Sequence, residues 1–158
     1  MSIINNLKKI FNSIIIRLHG FKLNLLYILK INIDPEIHYL RKLKFSNSIA
    51  IDIGANGADW TLALSDIVGK KGNVIGFEPH PYFFKSTKKA IIYSRKKNII
   101  LYPYAVGSKN KYSKLIIESF NKKLKYRSKI SQNKDLKEEK SVKVKMVKLD
   151  EFIDKNKK

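Results

Sequence analysis

The chain has 158 residues and a formal net charge of +20, because 33 Lys and Arg side chains outnumber 13 Asp and Glu. This length suits one domain. Apolar residues make up 44% of the chain, which is enough for a core and excludes wholesale disorder and fibrous repeats. The absence of cysteine excludes disulfides, thiolate catalysis and Cys-ligated zinc. Since nothing indicates an oxidising compartment, we expect a cytoplasmic protein.

The positive charge is spread along the chain and is not concentrated on one element. Only four of the 33 basic residues are Arg, whereas nucleic-acid-binding surfaces typically combine clustered Arg with aromatic residues. Lys, Ile and Asn are abundant and all have A/T-rich codons, so genome composition offers an explanation for much of the basicity. We therefore predict no specific nucleic-acid partner.

Residues 1–45 are predicted to form a helical N-terminal segment. Its apolar residues recur at intervals of three and four, which places them on one helix face. These residues are Ile3, Leu7, Ile10, Phe11, Ile14 and Leu18. Lys and Arg interrupt each apolar run well before the roughly 20 residues that a bilayer crossing needs. Two interpretations remain open: a helical lid that packs on the domain, or a basic amphipathic surface that makes peripheral contact with an anionic membrane.

Residues 46–158 are predicted to form an α/β domain. The elements are a strand at 49–53, a helix at 60–68, a strand at 73–77, a helix from 81 to about 95 and a strand at 99–106. Right-handed crossovers make these strands parallel, in the spatial order 3-2-1. The first strand is apolar on both faces, which is typical of a central strand, so we expect a neighbouring strand on each side.

The last third of the chain is less regular. A strand is predicted at 112–118 and a loop at 120–140, where the sequence is rich in Lys and has no apolar period. Val142, Val144 and Met146 alternate with lysines, which predicts a half-buried strand. A short helix is expected from Leu149.

Two acids and a glycine turn mark the candidate site. Asp52 lies at the carboxyl end of the first strand, Gly54 follows in a tight turn, and Glu78 ends the second strand. An acid at the tip of the second strand can accept both ribose hydroxyls of an adenosine. Asp52 would repel a pyrophosphate but suits the ammonium of a methionine tail, so the residues favour S-adenosylmethionine over NAD.

Four sequence blocks, in order, resemble the FkbM family of S-adenosylmethionine-dependent methyltransferases. The blocks are IDIGANGADWTLAL, KKGNVIGFEPHP, NIILYPYAVGSK and VKVKMVKLDEF, and the resemblance runs from about Ser48 to Ile153. It implies a Rossmann-like class I methyltransferase fold and O-methylation of a sugar or secondary-metabolite hydroxyl. The acceptor partner would then be a small molecule or a glycan.

The resemblance and the spacing together assign the cofactor site. Asp52, Gly54, Ala55 and Asn56 match the family's cofactor turn, and Glu78 with Pro79 matches its ribose-binding block. His80 either lies beside the adenine or is a solvated loop histidine. The predicted cofactor-binding residues are Asp52, Gly54, Ala55, Asn56, Gly57, Glu78, Pro79 and His80. No catalytic residue is identified, and no metal-ligand spacing or nucleophile elbow occurs in the sequence.

The chain departs from the family pattern in two places. The family usually has its last turn glycine one position later, whereas this chain has Gly57 followed by Ala58. If position 58 requires a positive φ, alanine there costs roughly 1 kcal/mol or somewhat more.

The second departure is the family's fourth core strand, which does not follow Asp150. We therefore expect only the N-terminal half of the sheet, with an open edge that favours self-association. The alternative functions are an inactive S-adenosylmethionine-binding remnant and, less favoured, a basic protein that binds nucleic acid or a membrane surface.

Overall fold

A computed structural model of the chain describes residues 2–31, 34–43, 45–117, 128–131 and 141–156. The chain divides into two compact units, Met1–Tyr102 and Pro103–Lys158. The first unit contains α1 (Ser2–Ile28), α2 (Pro35–Leu40), β1 (Ile49–Ile53), α3 (Asp59–Val68), β2 (Asn73–Phe77), α4 (Pro81–Ser94) and β3 (Ile99–Tyr102). The second contains β4 (Tyr104–Val106), β5 (Lys111–Ile117), β6 (Ser128–Ser131), β7 (Ser141–Val147) and α5 (Leu149–Asn156). The division predicted after residue 45 stays a prediction.

The first unit is built on a three-stranded parallel sheet in the order β1-β2-β3. The predicted order 3-2-1 is confirmed. The strands are in register at their carboxyl ends, where Ile53 pairs with Phe77 and Phe77 pairs with Tyr102. This register brings the residues that follow β1 and β2 to one edge of the sheet.

The core of this unit lies between the sheet and its helices. Its buried apolar residues are Leu23, Tyr27, Ile37, Ala58, Leu62, Ala63, Ala90 and Ile91. In contrast, Ile49, Ile51 and Ile53 of β1 are 68%, 38% and 57% exposed. Within the described ranges β1 pairs with β2 alone, so its other edge carries unpaired backbone groups.

Asn98 organises the opposite end of the strands, just before β3. Its side-chain Nδ2 lies 3.3, 2.9 and 3.2 Å from the carbonyl oxygens of Ser65, Gly69 and Gly72, respectively. Its Oδ1 accepts a hydrogen bond of 2.6 Å from the Ser65 hydroxyl. One side chain therefore satisfies carbonyls at the end of α3 and in the turn that leads to β2.

The N-terminal segment is helical, as predicted, but it consists of two helices. As one of the two interpretations predicted, α1 packs on the domain, but the apolar stripe is not its contact face: Leu7, Phe11 and Leu18 are 60%, 64% and 64% exposed. The helix instead packs its other face on α4 near Gly20, where an added Cβ would lie 2.4 Å from the Lys89 Cβ. None of the described helices combines the length and hydrophobicity that a bilayer crossing requires.

The second unit has a mixed sheet in the order β4-β7-β5-β6. β7 is parallel to β4 and antiparallel to β5, and its alternation is as predicted, with Val144 and Met146 buried. The exposed Lys145 extends over the Tyr104 ring, with 4.7 Å between Nζ and the ring centroid. The predicted strand at 112–118 and the helix from Leu149 are confirmed as β5 and α5, although position 118 itself lies outside the described residues.

Two strand predictions need correction. The strand predicted over 99–106 is interrupted at Pro103, which has no backbone N–H, and β4 joins the second sheet. The loop predicted at 120–140 includes β6, whose register with β5 pairs Ile130 with Leu115. The rest of that loop prediction falls outside the described residues.

Candidate functional site at the strand tips

The turn after β1 is fastened to the end of β2. The backbone N–H groups of Gly54 and Ala55 both donate to the Phe77 carbonyl, at 2.8 and 3.0 Å. Gly54 has φ +88°, and an added Cβ would meet nothing within 4 Å. Glycine is needed there for its backbone conformation, and the space in front of the turn is open for a ligand to approach the main chain.

The second half of the turn includes an alanine in a left-handed conformation. Ala58 has φ +69° and is fully buried, whereas the φ of Gly57 is not positive. Position 58 therefore does require a positive φ, and the family's glycine at this position has a conformational reason. Ala58 is the N-cap residue of α3, so the strain lies where the turn enters the helix.

Glu78 connects the two strand-end loops. Its Oε2 accepts from the backbone N–H of Asn56 at 2.8 Å, and its Oε1 accepts from the backbone N–H of His80 at 2.7 Å. Only 4% of Glu78 is exposed. Each carboxylate oxygen has two lone-pair sites, so both oxygens can accept one further donor from a ligand. Oxygens held in this way are positioned for two neighbouring hydroxyl groups.

Asp52 is the second buried acid of the site. It pairs with Gly76 across the sheet, and its Oδ2 accepts a hydrogen bond of 2.5 Å from the Thr61 hydroxyl. Burial raises the pKa of Asp52, although the Thr61 hydrogen bond partly offsets this effect. Burial also raises the pKa of Glu78, the amides of His80 and Asn56 oppose that rise, and the charge of Asp52 adds to it. Among the residues that the structure describes, no cationic side chain hydrogen-bonds to either carboxylate.

His80 is part of the same cluster, and the solvated-loop alternative is wrong because the residue is only 7% exposed. It caps α4: Nδ1 accepts from the backbone N–H groups of Tyr82 and Phe83, at 3.2 and 3.4 Å. Burial lowers the pKa of His80, so the ring is neutral at physiological pH and carries its proton on Nε2. This Nε2 is buried and has no hydrogen-bond partner in the described structure. Pro79 lies between Glu78 and His80 and is half-buried.

The structure adds two threonines that the sequence analysis missed. Thr61 donates to Asp52, and Thr87 donates to the carbonyl oxygen of Asn56 at 2.5 Å. Both threonines are fully buried. Their signal in the sequence was a hydroxyl on an otherwise apolar helix face, which identifies a satisfied polar contact but does not name the partner.

A comparison with protein families gives a match that contains the residues of the candidate site. The family model of the methyltransferase FkbM domain matches residues 52–158. A search of curated proteins finds no significant match.

Two solved structures are similar over part of the chain. A protein from Clostridium thermocellum, provisionally described as an rRNA methylase, is 18% identical, with a TM-score of 0.42 over 44% of this chain and 40% of that one. A SAM-dependent methyltransferase from Aquifex aeolicus is 20% identical, with a TM-score of 0.38 over 43% of this chain and 36% of that one. The chain therefore spans less than half the length of either structure.

Proposed function

Because the chain belongs to the FkbM family of S-adenosylmethionine-dependent methyltransferases, we propose that it binds S-adenosylmethionine at the strand tips and serves O-methylation of a small-molecule or glycan hydroxyl. The observation that carries the proposal is the Glu78 carboxylate, whose two oxygens are fixed by the amides of Asn56 and His80. The two carboxylate oxygens of Glu78 are therefore already positioned in the absence of ligand, so that binding costs little side-chain conformational entropy.

Glu78 is proposed to bind the ribose. The two hydroxyls of a ribose are adjacent, and each can donate to one carboxylate oxygen. The amide donors occupy one site on each oxygen, which leaves one site for each hydroxyl. Hydrogen bonds to a charged acceptor contribute about 1.5 to 3 kcal/mol, enough to make this residue a major determinant of affinity.

Asp52 is proposed to attract the ammonium of the methionine portion. Its carboxylate lies at the carboxyl end of β1, beside the open turn at Gly54. With Glu78 on the neighbouring strand, Asp52 makes the site electronegative, and this disfavours the pyrophosphate of a dinucleotide. A sulfonium cofactor with a free ammonium fits these charges, which is the reason to prefer it over NAD.

His80 is proposed to contact the nucleobase. Its Nε2–H is buried and unpartnered within the described ranges, and an unsatisfied buried donor is costly until something accepts from it. A ring nitrogen of adenine would be a suitable acceptor. The neutral state of the imidazole suits this role, because Nδ1 must stay unprotonated to cap α4.

Bound S-adenosylmethionine would supply a sulfonium methyl group for transfer to an acceptor hydroxyl, whose proton would pass to a base or to solvent, with S-adenosylhomocysteine as the other product. The residues of this chain contribute binding and orientation, which lower the barrier by fixing the reacting atoms in line. We assign the base to no residue.

Cofactor binding without methyl transfer is the competing function. It is favoured by β1, which exposes Ile49, Ile51 and Ile53 and, among the described strands, has a neighbour on one side only. An acceptor that approaches this part of the site would meet exposed isoleucine side chains instead of a formed pocket wall.

Calorimetric titration with S-adenosylmethionine, S-adenosylhomocysteine and NAD tests the proposal. We expect both adenosyl compounds to bind and NAD to bind at least tenfold more weakly. Transfer of a radioactive methyl group to hydroxyl-containing acceptors then separates an active enzyme from a binding protein. Equal affinity for NAD and S-adenosylmethionine would overturn the assignment of the cofactor.

A further inference from the structure

α1 exposes an apolar surface that extends along most of its length. Ten of its apolar side chains are between 37% and 64% exposed. They are Ile4, Leu7, Ile10, Phe11, Ile14, Ile15, Leu18, Phe21, Leu25 and Ile28. At 3.6 residues per turn these positions fall within an arc of roughly 140°, and the helix of 27 residues is about 40 Å long. We call this surface the outer arc.

The opposite face of α1 fixes the helix to the domain. Leu23, Asn24 and Tyr27 are buried, and Gly20 permits close contact with the backbone and side chains of α4. The Tyr27 hydroxyl donates to Asp66 and accepts from Arg41 Nη2 at 2.9 Å. These residues lie about half a turn away from the centre of the outer arc. The helix therefore directs Leu23, Asn24 and Tyr27 toward the domain and leaves the side chains of the outer arc exposed.

The charge of α1 identifies the kind of surface that suits the outer arc. The helix contains Lys8, Lys9, Arg17 and Lys22 and no acidic residue. By helical periodicity Lys8 and Arg17 border the arc on its two sides, and Lys22 lies within it. Long basic side chains at the borders of an apolar stripe can direct their charges toward lipid headgroups while their stems stay on the apolar side.

We propose that the outer arc of α1 is a peripheral membrane-binding surface that lies in the interface of a bilayer containing anionic lipid. The apolar side chains would enter the boundary between headgroups and acyl chains, and the bordering cations would contact the lipid phosphates. Such binding needs both contributions: burial of apolar area and attraction of about 1 kcal/mol per basic residue near the surface.

A second copy of the chain is a poorer occupant of the outer arc. Two facing copies of α1 would bring their bordering cations together, and the chain as a whole carries a charge of +20. Like charges oppose that contact, whereas an anionic bilayer is attracted by the same residues. Charge complementarity therefore favours the lipid surface.

Co-sedimentation of the full chain with vesicles tests the proposal. We expect binding to vesicles of phosphatidylserine and phosphatidylcholine in equal parts, and at least tenfold weaker binding to phosphatidylcholine alone or in high salt. Replacing Leu7, Phe11 and Leu18 together by Gln should weaken binding to the anionic vesicles at least tenfold. These side chains are exposed, so the fold should persist, as circular dichroism would verify.

A matched control removes three apolar side chains of similar exposure elsewhere. Tyr39, Ile49 and Ile100 are 66%, 68% and 51% exposed, and their joint replacement by Gln should leave vesicle binding unchanged. If the control and the outer-arc variant lose binding equally, or if neither loses it, the outer arc is not the contact. Light scattering that shows a dimer of the wild type, lost in the outer-arc variant, with no vesicle binding, would assign the arc to a second copy.

Site-specific labels provide a second measurement that does not depend on the triple variant. The sequence has no cysteine, so a single introduced thiol can be labelled cleanly. An environment-sensitive dye on Leu18→Cys, in the outer arc, should shift to shorter wavelength on addition of anionic vesicles. The same dye on Ser13→Cys, which lies toward α4, should not shift. Equal shifts at the two positions would overturn the proposed orientation.

Discussion

The carboxylate of Glu78 accepts from the backbone amide of Asn56 at 2.8 Å, so the acid at the end of β2 fixes the turn that follows β1. The two loops of the candidate site are thus joined by a side chain that is itself proposed to bind the ligand. A single substitution at Glu78 therefore affects both ligand binding and the local structure of the turn.

The first prediction concerns Glu78. Glu78→Ala should weaken adenosyl binding more than tenfold, because hydrogen bonds to a charged acceptor typically contribute about 1.5 to 3 kcal/mol. Glu78→Gln should retain one acceptor oxygen and should therefore lose less affinity than Glu78→Ala. Calorimetry measures both affinities, and Glu36→Ala, which removes an acid from the exposed first turn of α2, is the charge-matched control. Unchanged affinity in Glu78→Ala would remove this residue from the site.

The second prediction concerns pH and Asp52. Burial raises its pKa, so the folded state holds the proton more tightly than the unfolded state does. The contribution of Asp52 to the free energy of unfolding should therefore be fully present below the ordinary carboxyl pKa of about 4 and be lost as pH rises through the raised value. Urea unfolding of the wild type and Asp52→Asn across this range gives the contribution as a difference. A difference that is constant with pH would contradict the shift.

The same variant should show opposite effects on stability and binding. At neutral pH, Asp52→Asn removes a buried charge yet can still accept from Thr61, so its unfolding midpoint should be higher than that of the wild type. Its affinity for S-adenosylmethionine should be about tenfold lower, the loss expected for one hydrogen bond between charged groups. Thr61→Val, which leaves the carboxylate without its hydroxyl partner, should lower the midpoint. A lower midpoint in Asp52→Asn would show that its charge stabilises the fold.

The third prediction concerns Gly57 and the left-handed Ala58. Exchanging the two residues, as Gly57→Ala with Ala58→Gly, keeps the composition and so keeps the entropy of the unfolded chain nearly the same. It relieves a left-handed alanine, which costs roughly 1 to 2 kcal/mol, and loses one buried methyl group, about 0.8 kcal/mol. An alanine at 57 would approach only the Asp59 side chain, at 3.7 Å. We expect a gain of up to about 1 kcal/mol in thermal or urea unfolding, and a loss of stability would mean that the methyl contact matters more than the strain.

The fourth prediction concerns the open edge of β1. Its unpaired backbone groups and exposed isoleucines should cause self-association once salt screens the charge of +20. Light scattering should detect larger species in high salt, and Ile51→Lys should suppress them because a charge on an edge strand opposes pairing. This salt dependence is the opposite of that expected for vesicle binding. A monomer at every salt concentration would show that the edge does not associate.

The sequence was most informative where the pattern of side chains determines the structure directly. Continuous apolar runs bounded by Gly54 and Glu78 predicted the parallel strands and their order, because crossover handedness leaves few topologies. The same reasoning placed the two acids at one edge of the sheet. The same reasoning could not predict which face of α1 contacts the domain. Periodicity shows that an apolar face exists, but it does not show whether that face is buried. In the structure the contacts of Gly20 and Tyr27 place the opposite face against the domain.

Other features depended on contacts between distant residues. Nothing local in the sequence shows that Glu78 bonds the amide of Asn56, or that Thr87 reaches the same residue. The end of β3 at Tyr102 was predictable from the sequence, because Pro103 has no backbone N–H to donate to a sheet. β6 was missed because its residues, Ser128–Ser131, contain a single apolar side chain in a lysine-rich segment.

Asn98 gives the two ends of the parallel strands different tolerance to mutation. Its side chain secures the helix and turn ends at the amino-terminal side, while the acids occupy the carboxyl-terminal side. Substitutions at Glu78 would then change both ligand binding and the turn that follows β1, while the contacts of Asn98 still secure the other end of the strands. Substitutions that change ligand preference would then occur mainly around Asp52 and Glu78, and substitutions that impair folding would occur mainly around Asn98.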